Sequence, residues 1–217
     1  LDNGTKEVIE GTGEGRFSKT LSGLAHSTRY FVRAYAVNDL GVGYSEVENF
    51  YTPYKGEAID LSIGGTANSY IVPPVFSTYT FDATVKGHTN ETIEGAASAE
   101  VLWETDKYGM KIAAGQLIEN VAYSGGRITF NTKESDVEGN ALVAVKDADG
   151  TILWSWHLWI TDVPTEQTYV NNSGTFIVQD RNLGATRADR GVGDEWKESC
   201  GLDYQWGRKD PFAGAAF

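Results

Sequence analysis

Apolar and polar residues alternate along most of this chain, and the alternation predicts strands in three successive stretches: residues 1–54, 55–163 and 164–217. In the first, Thr28 to Ala36 reads as one strand. Tyr30, Val32, Ala34 and Ala36 share its smaller, more apolar face, which is expected to point inward, and Arg29, Phe31, Arg33 and Tyr35 share the other. Asn38 to Gly43 reads as a turn, Val47 to Thr52 and Arg16 to Leu21 as further strands, and Pro53 to Glu57 as a linker. The second stretch predicts strands at 69–72, 78–84, 100–103, 117–123, 127–131, 141–146 and 151–160. Asp149-Gly150 predicts a tight hairpin whose two central residues both take positive φ. In the last strand Ile152, Trp154, Trp156, Leu158 and Ile160 share one face, and Leu153, Ser155, His157 and Trp159 the other. Both faces are largely apolar, so this strand is expected to be central and covered on two sides. Strands at this spacing predict a β-sandwich. In the third stretch Gly174 to Asp180 reads as a strand and Asp194 to Cys200 as a short helix, acidic in its first turn and stopped by Gly201.

Composition narrows the function more than the fold. The 217 residues carry 30 acidic and 18 basic side chains, a net charge of −12. That balance argues against nucleic acid or an anionic membrane surface as the main partner. Twenty-five glycines fit a turn-rich, mainly β chain. The single cysteine, Cys200, excludes an internal disulfide framework and a cysteine-based zinc cage. No apolar run approaches the roughly 18 residues of a membrane helix, so direct membrane insertion is not expected, and no signal peptide or lipidation motif is visible. Gly11-Thr-Gly-Glu-Gly15 lacks the spacing and the lysine of a phosphate loop.

Two resemblances emerge. Leu24, Thr28 and Tyr30, with Phe17, Leu21, Phe50 and Thr52 around them, resemble the second half of a fibronectin type III domain, in which the tyrosine forms a corner tied back to the chain; His26 stands where that pattern has a proline. The segment from Ala67 to Phe212 resembles surface proteins of Bacteroidetes-type gut bacteria. The pieces that carry the likeness are Ala67-Asn-Ser-Tyr-Ile-Val72, Ala99-Glu-Val-Leu-Trp103, 139–147 and 152–162. Asp180-Arg-Asn-Leu-Gly184 and 201–212 resemble the opening of a Fibrobacter-type major paralogous domain, which is thought to have a C-type-lectin-like fold. The resemblance implies a mainly β chain: tandem β-sandwich modules followed by a partial C-type-lectin-like α+β segment. It implies extracellular display at an outer-membrane-associated cell surface, binding or adhesion, and no established catalysis. It also places the first fibronectin-like strands before Leu1 and most of the lectin-like loops after Phe217. A half sandwich leaves strand edges unpaired, so the remainder is expected either from a longer product or from a neighbouring chain by strand addition.

The candidate sites divide between chemistry and packing. Tyr204 and Trp206 are the aromatic candidates for a ligand, with Arg208 beside them; a sugar ring presents C–H faces that suit an aromatic platform. Packing of the helix end is the competing reading, as ion pairing is for Arg208, Lys209 and Asp210 with Arg181. Trp154, Trp156 and Trp159 read as a stacking platform for sugar rings or, from their alternation in an otherwise apolar strand, as core residues. Asp147-x-Asp149-Gly150 reads as a hairpin turn or as the start of a calcium loop without its later ligands. Asp189, Asp194 and Glu195 read as a solvated acidic loop or as a cation site. Cys200 as a nucleophile needs a base, and the histidines stand at 26, 88 and 157 with no motif around them. Formylglycine-generating enzymes, of similar fold, use paired cysteines. No Ser/His/Asp set and no carboxylate dyad is marked by spacing, so no catalytic residue, metal or cofactor is expected. The expected function is a modular surface binding protein whose stalk presents a lectin-like domain to glycan or protein ligands. The alternatives are a structural subunit of an extracellular assembly such as a pilus tip or phage fibre, completed by its neighbours, and, less favoured, an enzyme acting on polysaccharide.

Overall fold

The computed structural model describes residues 18, 20–24, 29–51, 56–133 and 137–214. Contacts divide the chain into two units, Leu1–Pro53 and Tyr54–Phe217. The fold is mainly β throughout. No helix among the described residues is long and apolar enough to cross a membrane.

In the first unit β1 (Arg29–Val32) pairs antiparallel with β4 (Glu48–Tyr51), and β2 (Tyr35–Asn38) with β3 (Gly41–Tyr44). The single strand expected from Thr28 to Ala36 is therefore two. It breaks at Arg33 and Ala34, where Ser45 captures the backbone: Ala34 N–H donates to Ser45 Oγ and Ser45 N–H to the Ala34 carbonyl, both at 2.9 Å. The break also undoes the expected inward face. Val32, Ala34 and Ala36 are exposed, while Tyr35, from the face expected outward, is half-buried. The Tyr35 ring lies 6.2 Å from that of Tyr44, over which Arg33 also sits at 4.0 Å. Leu24 and Tyr30 are half-buried; the Gly11–Gly15 stretch, Arg16, Phe17, Lys19, His26, Thr28 and Thr52 to Lys55 lie outside the described residues.

In the second unit, alternation sorts most strands as expected. In β11 (Arg127–Thr132) Ile128, Phe130 and Thr132 are buried and their neighbours are not. In β7 (Thr78–Asp82) Tyr79 and Phe81 are wholly buried. Together with β10 (Ile118–Ser124) and the short β5 (Ile59–Asp60), these form a four-stranded sheet in the order β10-β11-β7-β5. A five-stranded sheet, β6-β13-β12-β8-β9, comprises β6 (Ser69–Val72), β8 (Ser98–Thr105), β9 (Lys111–Ile112), β12 (Gly139–Lys146) and β13 (Ile152–Ile160). The β5–β7 and β6–β13 pairs are parallel and the others antiparallel. Inward side chains of the two sheets form one core. Tyr79, Phe81, Ile128 and Phe130 meet Tyr70, Val143, Trp156 and Leu158 there, and the Phe81 ring lies 5.4 Å from that of Trp156. This is the expected β-sandwich.

The hairpin between β12 and β13 differs in type from the expectation. Gly150 N–H closes the turn onto the Asp147 carbonyl, and Gly150 has φ 84°. The two central residues, Ala148 and Asp149, have no positive φ, so positive φ falls on the residue after the turn rather than on both central ones. The Asp147 carboxylate accepts the N–H groups of Asp149 and Thr151 at 3.0 and 2.8 Å. The Asp-x-Asp-Gly pattern thus has a turn-making role.

One buried carboxylate ties the sheets together. Glu104 of β8 is wholly inaccessible. Its Oε2 accepts the N–H groups of Gln116 and Leu117 at 2.8 and 3.0 Å, and its Oε1 accepts that of Ile118 at 3.0 Å. These amides lead into β10 of the opposite sheet. A carboxylate with three such donors is well satisfied despite burial. Nearby, Gly139 opens β12 at φ 155°, and a Cβ there would stand 2.2 Å from the Thr105 carbonyl oxygen. Only glycine lets these two strands approach so closely.

The segment after Val163 belongs to the same unit. It contains the hairpin β14 (Glu166–Asn171) and β15 (Gly174–Gln179), exposed along its whole length, and a 3-10 helix at Gly193–Ser199 where the short helix was expected. Gly201 follows at φ 76°, its α-carbon packed so that a Cβ would lie 2.4 Å from the Leu183 carbonyl oxygen.

Replacing Glu104 by Ala leaves the buried amides of Leu117 and Ile118, and that of exposed Gln116, without their acceptor and is expected to lower the unfolding free energy by about 4 kcal/mol. Exposed Glu94→Ala should stay within about 0.5 kcal/mol of the parent. Urea unfolding of both variants checks this, and a Glu104→Ala loss below about 1 kcal/mol would show that water replaces the carboxylate.

Candidate functional site

The outer face of β13, which bears Ser155, His157 and Trp159, is the face turned away from the sandwich core. All three are buried. What covers them is the segment from Arg181 to Phe212, and it is tied down by polar contacts. Trp159 Nε1–H donates to the Ala185 carbonyl at 3.0 Å, and Asn140 Nδ2 to the Gly184 carbonyl at 2.9 Å. Ser155 Oγ–H donates to Asp210 Oδ2 at 2.8 Å. Lys209 Nζ reaches the Ser155 carbonyl and hydroxyl at 2.8 and 2.6 Å and Asp210 Oδ1 at 2.6 Å. The ammonium also lies 4.5 Å from the centre of the Trp154 ring. Of the three tryptophans assigned to the core by alternation, Trp156 and Trp159 are buried, one on each face of β13, and Trp154 is half-buried beneath Lys209.

At the edge where β6 runs parallel to β13, this cover leaves a cleft of about 210 Å³. Asn68, Ser69, His157, Tyr204, Lys209 and Pro211 line it. His157 and Ser69 are register partners. Ser69 Oγ lies 3.0 Å from His157 Nδ1, and His157 Nε2 lies 2.9 Å from Asn140 Oδ1. The proton positions follow from the ends of this chain. The Gly184 carbonyl can only accept, so the Asn140 amide nitrogen faces it and the amide oxygen faces the imidazole. Nε2 therefore carries the ring proton, Nδ1 carries the lone pair, and Ser69 Oγ–H donates to it. Burial holds the imidazole neutral, pulling its pKa down to about 4 against the opposing pull of Asp210. Burial likewise raises the Tyr204 hydroxyl to about 12, with Asp210 adding to it, and depresses Lys209 despite Asp210.

The three expected ligand residues fall on one loop with different surroundings. Tyr204 lines the cleft at 43 % exposure, and Trp206 projects fully into solvent. Arg208 stacks on the Phe212 ring at 4.0 Å. The suggested charge cluster resolves into separate pairs. Arg181, its side chain buried, holds Asp180 at 2.8 Å and Asp162 at 2.6 Å, whereas Lys209 holds Asp210. The guanidinium pulls both Asp180 and Asp162 below the usual carboxylate range. Asp189 and Glu195 gather around the Arg187 guanidinium rather than around one another, and Asp194 pairs with Lys197. Among the described residues no group of three His, Cys, Asp or Glu side chains is placed to hold a metal ion. Cys200 is half-buried, its Sγ 3.5 Å from the Trp196 carbonyl.

Ser69, Asn140 and His157 were not singled out by sequence as a set. Ser69 and His157 are separated by 88 positions, and the chain order Ser, Asn, His follows no motif. The one available signal was a histidine on the less uniformly apolar face of a strand expected to be covered on both sides. Compared with protein-family models, with curated proteins and with solved structures, the chain matches none.

His157 also makes stability depend on pH. Its folded-state pKa lies below the unfolded value, so the unfolded chain binds a proton that the native state refuses. The stabilisation is complete above about pH 7 and falls by about 3 kcal/mol as pH drops from 6.5 toward 4. Unfolding curves at pH 7.5 and 4.5 measure it. His157→Gln, which has no proton to gain, should remove most of the difference between the two curves; an equal pH dependence in parent and variant would assign the loss to other groups.

Proposed function

We propose that this chain is part of a surface-displayed binding protein whose sandwich unit presents an aromatic loop to glycans. The observation that carries the reading is the loop of Tyr204 and Trp206. A fully exposed tryptophan costs solvation and contributes nothing to the core, and here it stands two residues from a tyrosine that lines a cleft. The loop is held from beneath by the Lys209 and Asp210 contacts to Ser155. Rigid support of this kind lowers the entropy cost of presenting an aromatic platform. A net charge of −12 favours neutral over anionic polysaccharide. The cell-surface location and the adhesive role follow from the family resemblances and are part of the same proposal.

The structural-subunit reading also has an observation in its favour. The β14–β15 hairpin exposes Tyr169, Phe176 and Val178 on one face and Val170 and Ile177 on the other. A two-stranded hairpin bare on both faces is marginal by itself and is the type of element that gains from a neighbour.

A glycan array probed with the labelled chain tests the first reading. Trp206→Ala should reduce binding to the glycans captured by the parent by about tenfold to a hundredfold, without changing the unfolding midpoint, because this side chain packs against nothing. Equal capture by parent and variant, or no capture by either, would remove the aromatic loop from the account. A chain that instead self-associates through the hairpin would sediment above its 23.7 kDa mass.

A further inference from the structure

Ser69, His157 and Asn140 make an arrangement that binding alone does not use. We propose that Ser69 is an activated nucleophile, with His157 as its general base and Asn140 as the residue that orients the imidazole, and that the cleft above it accepts a small acyl ester. Three features carry this. Ser69 is exposed and lines the cleft, although it sits at the start of a strand whose next residue, Tyr70, is buried. Its hydroxyl is 3.0 Å from a nitrogen that the hydrogen-bond chain fixes as the unprotonated one. The base is then held in turn by a third side chain, the geometric signature of an activated hydroxyl nucleophile. The roles of the two ring nitrogens are exchanged relative to the familiar serine triad, with Nδ1 facing the nucleophile and Nε2 the orienting group.

The step balances without any further reactant. Ser69 Oγ attacks the ester carbonyl carbon as its proton passes to His157 Nδ1, forming the C–O bond of a tetrahedral intermediate. That intermediate expels the leaving alkoxide, which takes the proton from His157. Water, activated by the same Nδ1, then attacks the acyl-serine and releases the carboxylic acid, restoring the Ser69 hydroxyl. The imidazolium formed in passing is favoured by the charge of Asp210, which pairs with Lys209, and Lys209 and Tyr204 line the same cleft. A cleft of about 210 Å³ admits an acetyl-sized or slightly larger acyl group rather than a lipid chain. The inference does not depend on glycan binding: loss of the Trp206 platform leaves Ser69 and its partners in place.

The test is covalent labelling of the intact folded chain with a small alkyl fluorophosphonate, which forms a P–O bond with an activated serine as fluoride leaves. The expected result is one adduct per chain by intact mass, mapped by peptide sequencing to Ser69, and no adduct in Ser69→Ala. The substitution removes the donor to His157 Nδ1 but no backbone hydrogen bond of the strand, and an unfolding midpoint close to the parent's separates loss of the nucleophile from loss of folding. His157→Gln should slow labelling of Ser69 by about a hundredfold. An unmodified parent chain, an adduct spread over other serines, or unchanged labelling in Ser69→Ala would each overturn the assignment. Labelling of His157→Gln at the parent rate would overturn the role of the base.

Discussion

A strand buried on both faces must find a partner for every polar group it carries, and β13 carries a serine and a histidine on one of those faces. This constraint organises the second unit. The inward face of β13, with Trp156, Leu158 and Ile160, packs against the apolar contents of the sandwich, at the cost of a buried Trp156 indole N–H without a partner among the described residues. The outward face is not apolar enough to be closed by packing alone. It is closed by a segment that brings acceptors and donors in the right places: the carbonyls of Gly184 and Ala185, the carboxylate of Asp210 and the ammonium of Lys209. The irregular 181–212 segment is thus anchored by hydrogen bonds to a regular strand. It is also tied to itself: Thr186 N–H donates to the Glu198 carbonyl at 2.9 Å, Leu202 N–H to the Leu183 carbonyl at 3.0 Å and Asn182 Nδ2 to the Ser199 carbonyl at 3.0 Å, beside the 3-10 helix and an isolated bridge between Asp203 and Phe212.

The same logic explains the two places where the fold admits little variation. Glu104 turns a carboxylate into the core because three amides at the entrance to β10 need an acceptor where no strand can supply one. Gly139 stands where β12 must begin against the end of β8, with no room for a side chain. Both fix how the sheet bearing the cleft meets its surroundings: Glu104 links β8 to the opposite sheet, and β12, next to β13, supplies Asn140 immediately after Gly139. The distances within the Ser69–His157–Asn140 chain are thus inherited from strand register, since Ser69 faces His157 across a parallel pair and Asn140 faces Trp159 across an antiparallel one.

Strands of the sandwich such as β10 and β11 were legible in the sequence because each has one buried face, and alternation reports a one-sided environment directly. It also revealed the two-sided burial of β13. The failures have physical causes. Strands of two residues, such as β5 and β9, are too short to show a period. In β14 the alternation carries no burial to report, because both faces are exposed. In the first unit the period continues through Arg33 and Ala34 in the sequence, but Ser45 breaks the strand there by capturing Ala34 from eleven positions away. Tyr204 and Trp206 stood out in the sequence as closely spaced aromatics, and both are exposed. The Ser69–His157 contact was not legible there, because it depends on a parallel pairing that joins distant parts of the chain, and periodicity says nothing about which strands become neighbours.

The choice of asparagine at position 140 ties the burial of His157 to its chemistry. An aspartate there would raise the basicity of the imidazole, but it would place a carboxylate in a site that is almost wholly inaccessible, where an unpaired charge is costly. A carboxylate could also not donate to the Gly184 carbonyl, so the cover of β13 would lose one of its ties. The amide satisfies both neighbours at once and keeps the histidine neutral with its lone pair toward Ser69. The cost falls on the transition state. The imidazolium formed when Ser69 attacks has no buried counter-charge against Nε2, and relies on Asp210, whose charge is already engaged by Lys209. The same lack is felt when Ser69 attacks and again when water attacks the acyl-serine, since His157 takes a proton in both steps.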